Sequence, residues 1–228
     1  MHIVMLVFPQ FTQLDLTGPF EVFARMPDTK ISLAWKTTDP VTDGNGLRIV
    51  PTVDFDHCAR ADILFVPGGF GQMALMEDEA TLTFLRRQAE GAQWITSVCT
   101  GSLVLAVAGL LTGYRATSHW QWIDQLTLFG AEPVRERVVI DRNRITGAGV
   151  SSGIDFALTL AAQLHGEPTA RTIQLSMEYD PAPPFDGGSP GKEDPKIVAY
   201  LNDRLAGIAG ERQAAAERAA ARLRDGAD

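Results

Sequence analysis

Trp94-Ile95-Thr96-Ser97-Val98-Cys99-Thr100-Gly101-Ser102, followed by the apolar run Leu103-Val104-Leu105-Ala106-Val107-Ala108, is the stretch that decides the fold. Residues 95–98 are β-branched or small, the composition of a short buried strand, and residues 100–108 read as a helix. Cys99 therefore falls at a sharp strand-to-helix turn, a nucleophile elbow, where the side chain is pushed clear of the sheet. The N–H groups that open a helix lack partners within it and favour negative charge beside them. A thiol held there is expected to ionise more easily than a free one. Cys58, in the polar connection Asp54-Phe55-Asp56-His57-Cys58-Ala59-Arg60, has no such setting and reads as structural.

Working outward, residues 3–8 are an unbroken apolar run ended by Pro9, the pattern of a central parallel strand covered on both faces. Residues 31–36 and 63–66 read as further strands, and 79–90 have helical period with Leu82, Phe84, Leu85 and Ala89 as packing positions. Residues 41–50 read as a hairpin turning at Asp43-Gly44-Asn45-Gly46. Beyond the elbow, residues 120–129, 154–165 and 169–179 are expected to be helical, and 134–140 and 144–146 to be the last strands. Gly147-Ala148-Gly149-Val150-Ser151-Ser152-Gly153 is a small-residue loop suited to walling a pocket. The proline- and glycine-rich residues 181–190 are irregular. From Pro195 the Ala-, Arg- and Glu-rich tail has the mixed charges of a surface or subunit-contact helix. The class is α/β with a mostly parallel central sheet.

At 228 residues, 45% of them hydrophobic, the chain suits one well-packed domain. It divides into 1–190, which carries the motifs, and a helical extension, 191–228, on the same domain. A net charge of −8 leaves no positive field for a phosphate backbone, so nucleic acid is excluded as a partner. The apolar runs are too short for a membrane span and the amino terminus lacks a basic flank, so a soluble, cytoplasmic protein is expected. Two cysteines make no disulfide framework, and four scattered histidines point away from a metal.

Three further segments carry chemistry. In Phe11-Thr12-Gln13-Leu14-Asp15-Leu16-Thr17-Gly18-Pro19, one acid stands between two leucines just past the first strand, at the sheet edge where ligands bind in open α/β folds. Asp15 serves there as a cap or as a functional carboxyl with a perturbed pKa. Pro67-Gly68-Gly69-Phe70-Gly71 closes the strand expected beside the elbow, and its N–H groups could stabilise developing negative charge. The spacing is not that of a dinucleotide site. His119, in Ala116-Thr117-Ser118-His119-Trp120, reads as a helix-start histidine or as a partner of the thiol.

Leu14-Asp15-Leu16-Thr17-Gly18-Pro19, Pro67-Gly68-Gly69, Val98-Cys99-Thr100-Gly101-Ser102, Ala116-Thr117-Ser118-His119-Trp120 and Gly153-Ile154-Asp155 together resemble the DJ-1/PfpI superfamily. The resemblance runs from residue 1 to about 190, and the pairing of Asp15 with Cys99-Thr100 is closest to its isocyanide-hydrating branch. It implies a flavodoxin-like three-layer fold and a homodimer. PfpI-type proteases carry His directly after the nucleophile, where this chain has Thr100. DJ-like members bring a Glu to the thiol, where this chain has Asp15. Glutamine amidotransferases need a late His and Glu, and His165 has no suitable setting. Related transcription regulators append a helix-turn-helix domain, for which the residues after Phe185 are too few.

The implied chemistry is the addition of water to an isocyanide, R–N≡C, to give an N-substituted formamide. Cys99 is the nucleophile and Asp15 the general acid and base, through a covalent thioimidate. Gly69 and Thr100 are the supporting donors, Phe70, Val150 and His119 the pocket walls, and neither metal nor organic cofactor is called for. The alternatives are a redox or stress sensor built on Cys99, and glyoxalase- or hydrolase-like action on small carbonyl compounds.

Overall fold

The apolar run at the amino terminus is paired on both sides. In a computed structural model describing residues 1–225, β1 (His2–Leu6) lies between β2 (Lys30–Trp35) and β6 (Ile63–Val66), parallel to each. Ile3, Val4, Met5 and Leu6 are fully buried, which is why the run has no polar alternation. β7 (Trp94–Val98) extends the sheet beyond β6, and β11 (Arg144–Gly147) lies parallel to β7. β10 (Val138–Asp141) closes that edge antiparallel, and β5 (Val53–Asp54) closes the other beside β2. The order is β10-β11-β7-β6-β1-β2-β5. From β1 the chain moves outward to β2 and β5 and then returns to the opposite side of β1 as β6, so the connections diverge above β1 and β6. That divergence opens a crevice at the carboxyl ends of the strands.

α1 (Gln13–Phe23), α5 (Ser152–His165) and α6 (Glu167–Ser176) pack as one group. α2 (Gln72–Leu75), α3 (Glu79–Ala89), α4 (Gly101–Val107), a 3-10 helix (Ile123–Phe129) and α7 (Pro195–Asp225) form a second group, completing a flavodoxin-like layered α/β fold. Two small ribbons lie outside the main sheet: β3 (Val41–Thr42) with β4 (Arg48–Ile49), and β8 (Arg115–Ala116) with β9 (Glu132–Pro133).

Several local expectations are corrected. The segment around Asp15, to which the sequence alone assigns no element, is a helix capped at Thr12, and Asp15 stands in its first turn rather than at the cap. Gly18 and Pro19, which look like helix breakers, are where α1 meets α5. A Cβ on Gly18 would lie 3.3 Å from Ile154 Cγ1, and one on Gly153 would lie 3.0 Å from Pro19 Cδ. Close packing there outweighs poor helix propensity. The helix expected over 120–129 is a 3-10 helix beginning at Ile123, its two flanks tied together by the β8–β9 pairing and its end turned at Gly130 with φ +73°. That pairing also takes Glu132–Pro133 out of the main sheet, so the strand expected over 134–140 forms only from Val138. The helix expected over 169–179 begins earlier, with Pro168 in its first turn, and ends at Ser176.

The first half of α7 is largely exposed. Its second half buries Arg212, Ala215, Ala216, Ala219 and Ala220 against α2, α4 and the 3-10 helix. The tail is therefore not a surface helix throughout; residues 226–228 lie outside the described residues. No described helix is long and apolar enough to cross a membrane, and no group of three or more described His, Cys, Asp or Glu residues is placed to hold a metal ion.

Candidate active site

Cys99 has φ +56°, in the left-handed region that a non-glycine residue seldom adopts. The turn that forces this is held from both sides. The Cys99 amide donates to the carbonyl of Ala148 at 2.7 Å, and the Cys99 carbonyl accepts from Ser102 Oγ at 3.1 Å and Ser118 Oγ at 3.0 Å. Gly101 follows because a Cβ there would run into the carbonyls of Val66 and Pro67. Strain of this kind persists where the surroundings over-determine it, which is common at functional sites. The two serine clamps are recognisable only once Ser118 is seen beside the elbow.

Three chain segments converge at the sulfur: the start of α1, the Gly68-Gly69 turn after β6, and the elbow after β7. Asp15 is fully buried, and its Oδ2 accepts from the Gly68 amide at 3.0 Å. Its Oδ1 has no hydrogen-bond partner, and the Cys99 thiol lies close enough to influence the carboxyl. Burial pushes the Asp15 carboxyl up to about 7, with hydrogen bonding from Cys99 and Gly68 holding it back. The same burial, and then the adjacent Asp15 charge, raise the Cys99 thiol well above its ordinary value; the Thr100 amide and hydroxyl oppose this without reversing it. The expectation of an easily ionised thiol is therefore corrected. Desolvation outweighs the helix start, and the Asp15 carboxyl beside the thiol adds to the upward shift. Cys99 is 5% exposed, at the wall of a small cavity.

The Gly69 amide is not a free donor. It donates to Thr100 Oγ1 at 3.1 Å, so the role expected for it in stabilising charge is corrected to one of holding the Thr100 side chain. Gly69 has φ +141°, and a Cβ there would meet Gln10 O and Phe11 Cα at 2.5 Å. Only glycine fits, for the sake of close backbone approach.

Beside the sulfur lies a cavity of about 150 Å³, lined by Cys99 and Thr100 with Thr12, Gly69, Phe70, His119, Gln121, Trp122, Val150, Leu205 and Arg212. Asp15 is outside this lining. His119 faces the cavity, but its identified contact is the Gln121 amide, donated to Nδ1 at 3.4 Å, rather than the thiol. Burial and the positive charge of Arg212 lower its pKa, so it stands there neutral. Phe70 is 55% exposed at the rim. Leu205 and Arg212 come from α7 and had no local signature: a tail helix of mixed charge gives no hint that one arginine turns inward. Cys58 is half-buried, with its thiol raised by burial and no acid or base in hydrogen-bond contact.

A thiol, a buried carboxyl of near-neutral pKa and a small cavity can together carry out nucleophilic addition with proton transfer to a compact electrophile. A sequence model of the DJ-1/PfpI family matches residues 1–163. An isonitrile hydratase of Pseudomonas putida is 52% identical over 223 residues, covering 98% of each chain. A glutathione-independent glyoxalase of Caenorhabditis elegans is 31% identical over 146 residues, 63% of this chain and 78% of its own. The crystal structure of a ThiJ/PfpI family protein from Pseudomonas syringae superposes with a TM-score of 0.91 at 45% identity, covering 96% of this chain and 90% of that one.

Proposed function

This chain belongs to the DJ-1/PfpI family, and from that premise we propose that it is an enzyme hydrating isocyanides to N-substituted formamides. The observation that carries the reading is the Cys99 thiol beside the buried Asp15 carboxyl, in a chain half identical to an isonitrile hydratase. Asp15 as carboxylate takes the thiol proton while sulfur adds to the terminal isocyanide carbon. The carbon, now strongly basic, receives that proton from Asp15, leaving the thioimidate S–CH=N–R and a carboxylate again. Water then adds to the same carbon, giving one proton to Asp15. Asp15 passes that proton to the nitrogen, the C–S bond breaks, and sulfur recovers the proton of the added hydroxyl by way of Asp15 as R–NH–CHO leaves. One water is consumed and the enzyme is regenerated.

Each proton returns through Asp15, so a pKa near 7 suits both directions of transfer. Thr100, held by Gly69, orients the carboxyl or the attacking water. Phe70, Val150 and His119 bound the substrate's R group. Residues 1–190 form the catalytic unit, and the extension that follows completes its pocket through Leu205 and Arg212 of α7. A thiol mechanism and two unpaired cysteines suit the reducing cytoplasm. The chain acts as a homodimer, a reading supported by the apolar side chains left exposed at Leu175, Phe185, Ile197, Tyr200 and Leu201. Light scattering coupled to gel filtration measures this directly, a monomer mass opposing it.

The deciding experiment mixes wild type, Cys99→Ala and Asp15→Asn with cyclohexyl isocyanide and follows formamide and protein mass. Wild type forms the formamide; Cys99→Ala forms none and carries no adduct. Undiminished turnover by Cys99→Ala, or turnover of methylglyoxal but not of isocyanide by wild type, overturns the reading.

A further inference from the structure

Arg212 is the one charged side chain lining the Cys99 cavity, and it is 2% exposed. Among the described residues it has no carboxylate within ion-pair distance. Nη2 donates to Gln72 Oε1 at 2.5 Å, the guanidinium lies 4.3 Å from the centre of the Trp122 ring, and Nε has no partner. Gln72 Nε2 is unpartnered as well. A buried cation without a counter-ion is expensive to maintain, and an arginine that served only to dock α7 could be replaced by an apolar residue on the same stripe as Ala215, Ala216 and Ala219.

Apart from the Cys99 sulfur, whose charge when ionised favours the guanidinium, the lining supplies no anionic partner. His119 is neutral, Gln121 and Trp122 carry none, and Asp15 is bound to Gly68 outside the lining. Although the chain as a whole carries a charge of −8, this cavity holds one guanidinium, no carboxylate, and the Cys99 thiol as its one acidic group, whose charge would favour that of Arg212. The planar guanidinium fork matches a carboxylate, and about 150 Å³ leaves room for a short acid rather than a bulky anion.

We propose that the physiological substrate is an isocyanide whose R group carries a carboxylate, and that Arg212 is the residue that binds it. This rests on the hydratase reading and names its substrate class. The isocyanide carbon lies at Cys99, the carboxylate lies against Arg212, and binding completes the charge pair that the free protein lacks.

The test compares isocyanoacetate with n-butyl isocyanide, a neutral probe of similar size, in wild type, Arg212→Met and Arg212→Lys. Wild type should favour isocyanoacetate in kcat/KM. Arg212→Met should lower that preference by about ten- to a hundredfold, the range for a charge-assisted hydrogen bond, mainly through KM. Arg212→Lys should retain part of it. If Arg212 only docks α7, both substrates lose activity in equal proportion and the ratio stays fixed, which overturns the proposal. Equal use of the two probes by wild type also overturns it, whether or not the variants fold. Hydration of neither probe removes the hydratase reading itself, whereas hydration of both without preference removes only the role of Arg212.

Discussion

The Gly68 amide donates to Asp15 Oδ2 at 3.0 Å, and the place where a Gly68 side chain would stand is already taken by that oxygen, the Thr100 nitrogen and Cys99 Cβ. A Cβ there would lie 2.7, 2.6 and 2.8 Å from them. Gly68→Ala should therefore push the carboxyl away from the thiol, and overpacking of this kind destabilises by about 1–3 kcal/mol. The expected outcome is a folded protein with a lowered melting temperature and little formamide production; wild-type kcat would show that the three groups need not be this close.

Isocyanide turnover should rise with pH through an apparent pKa of about 7. Below it Asp15 holds its own proton and cannot accept that of the thiol; above it the carboxylate is free while Cys99, raised further, still carries a proton. The rising limb of kcat/KM against pH measures this. A profile flat between pH 5 and 8 would contradict the assignment.

The same raised carboxyl predicts a pH-dependent stability. The folded state holds the Asp15 proton more tightly than the unfolded chain, so its contribution is complete below about pH 4 and is lost as pH rises to about 7. Asp15→Asn has no charge to bury and escapes that loss. Relative to wild type it should gain up to about 4 kcal/mol between pH 4 and pH 8, read from denaturant unfolding at each pH. A difference that does not change with pH would show that Asp15 is not desolvated.

Thr100→Val removes the acceptor of the Gly69 amide and leaves that buried donor unpaired, at a cost of about 1–3 kcal/mol. Thr100→Ser keeps the oxygen. Chemical denaturation and kcat should separate the two variants, with the serine enzyme close to wild type; loss in the serine variant while valine stays near wild type would point to the methyl group instead.

Most of the framework was legible in the chain. The runs ending at Leu6 and Val66 are apolar, and the one ending at Val98 is β-branched or small, because both faces of those strands are covered, and that pattern survives in sequence whatever the packing details. The helix around Asp15 was obscured because Gly18 and Pro19 are poor helix formers, chosen for contact with Ile154 and Gly153. The 3-10 segment over Ile123–Phe129 depends on the pairing of Arg115–Ala116 with Glu132–Pro133, a tertiary event with no local periodicity.

What the sequence determined alone was where Cys99 must stand, since a β-branched run passing directly into a helix leaves it no position but the turn. It also marked Asp15, as a lone acid among leucines. The tertiary structure decided the rest: that burial raises the thiol rather than lowering it, that the Gly69 amide is already engaged, and that Arg212 turns inward from the far end of the chain. Proton affinity and charge balance depend on how completely water is excluded, and exclusion belongs to the assembled shell rather than to any neighbouring stretch of residues.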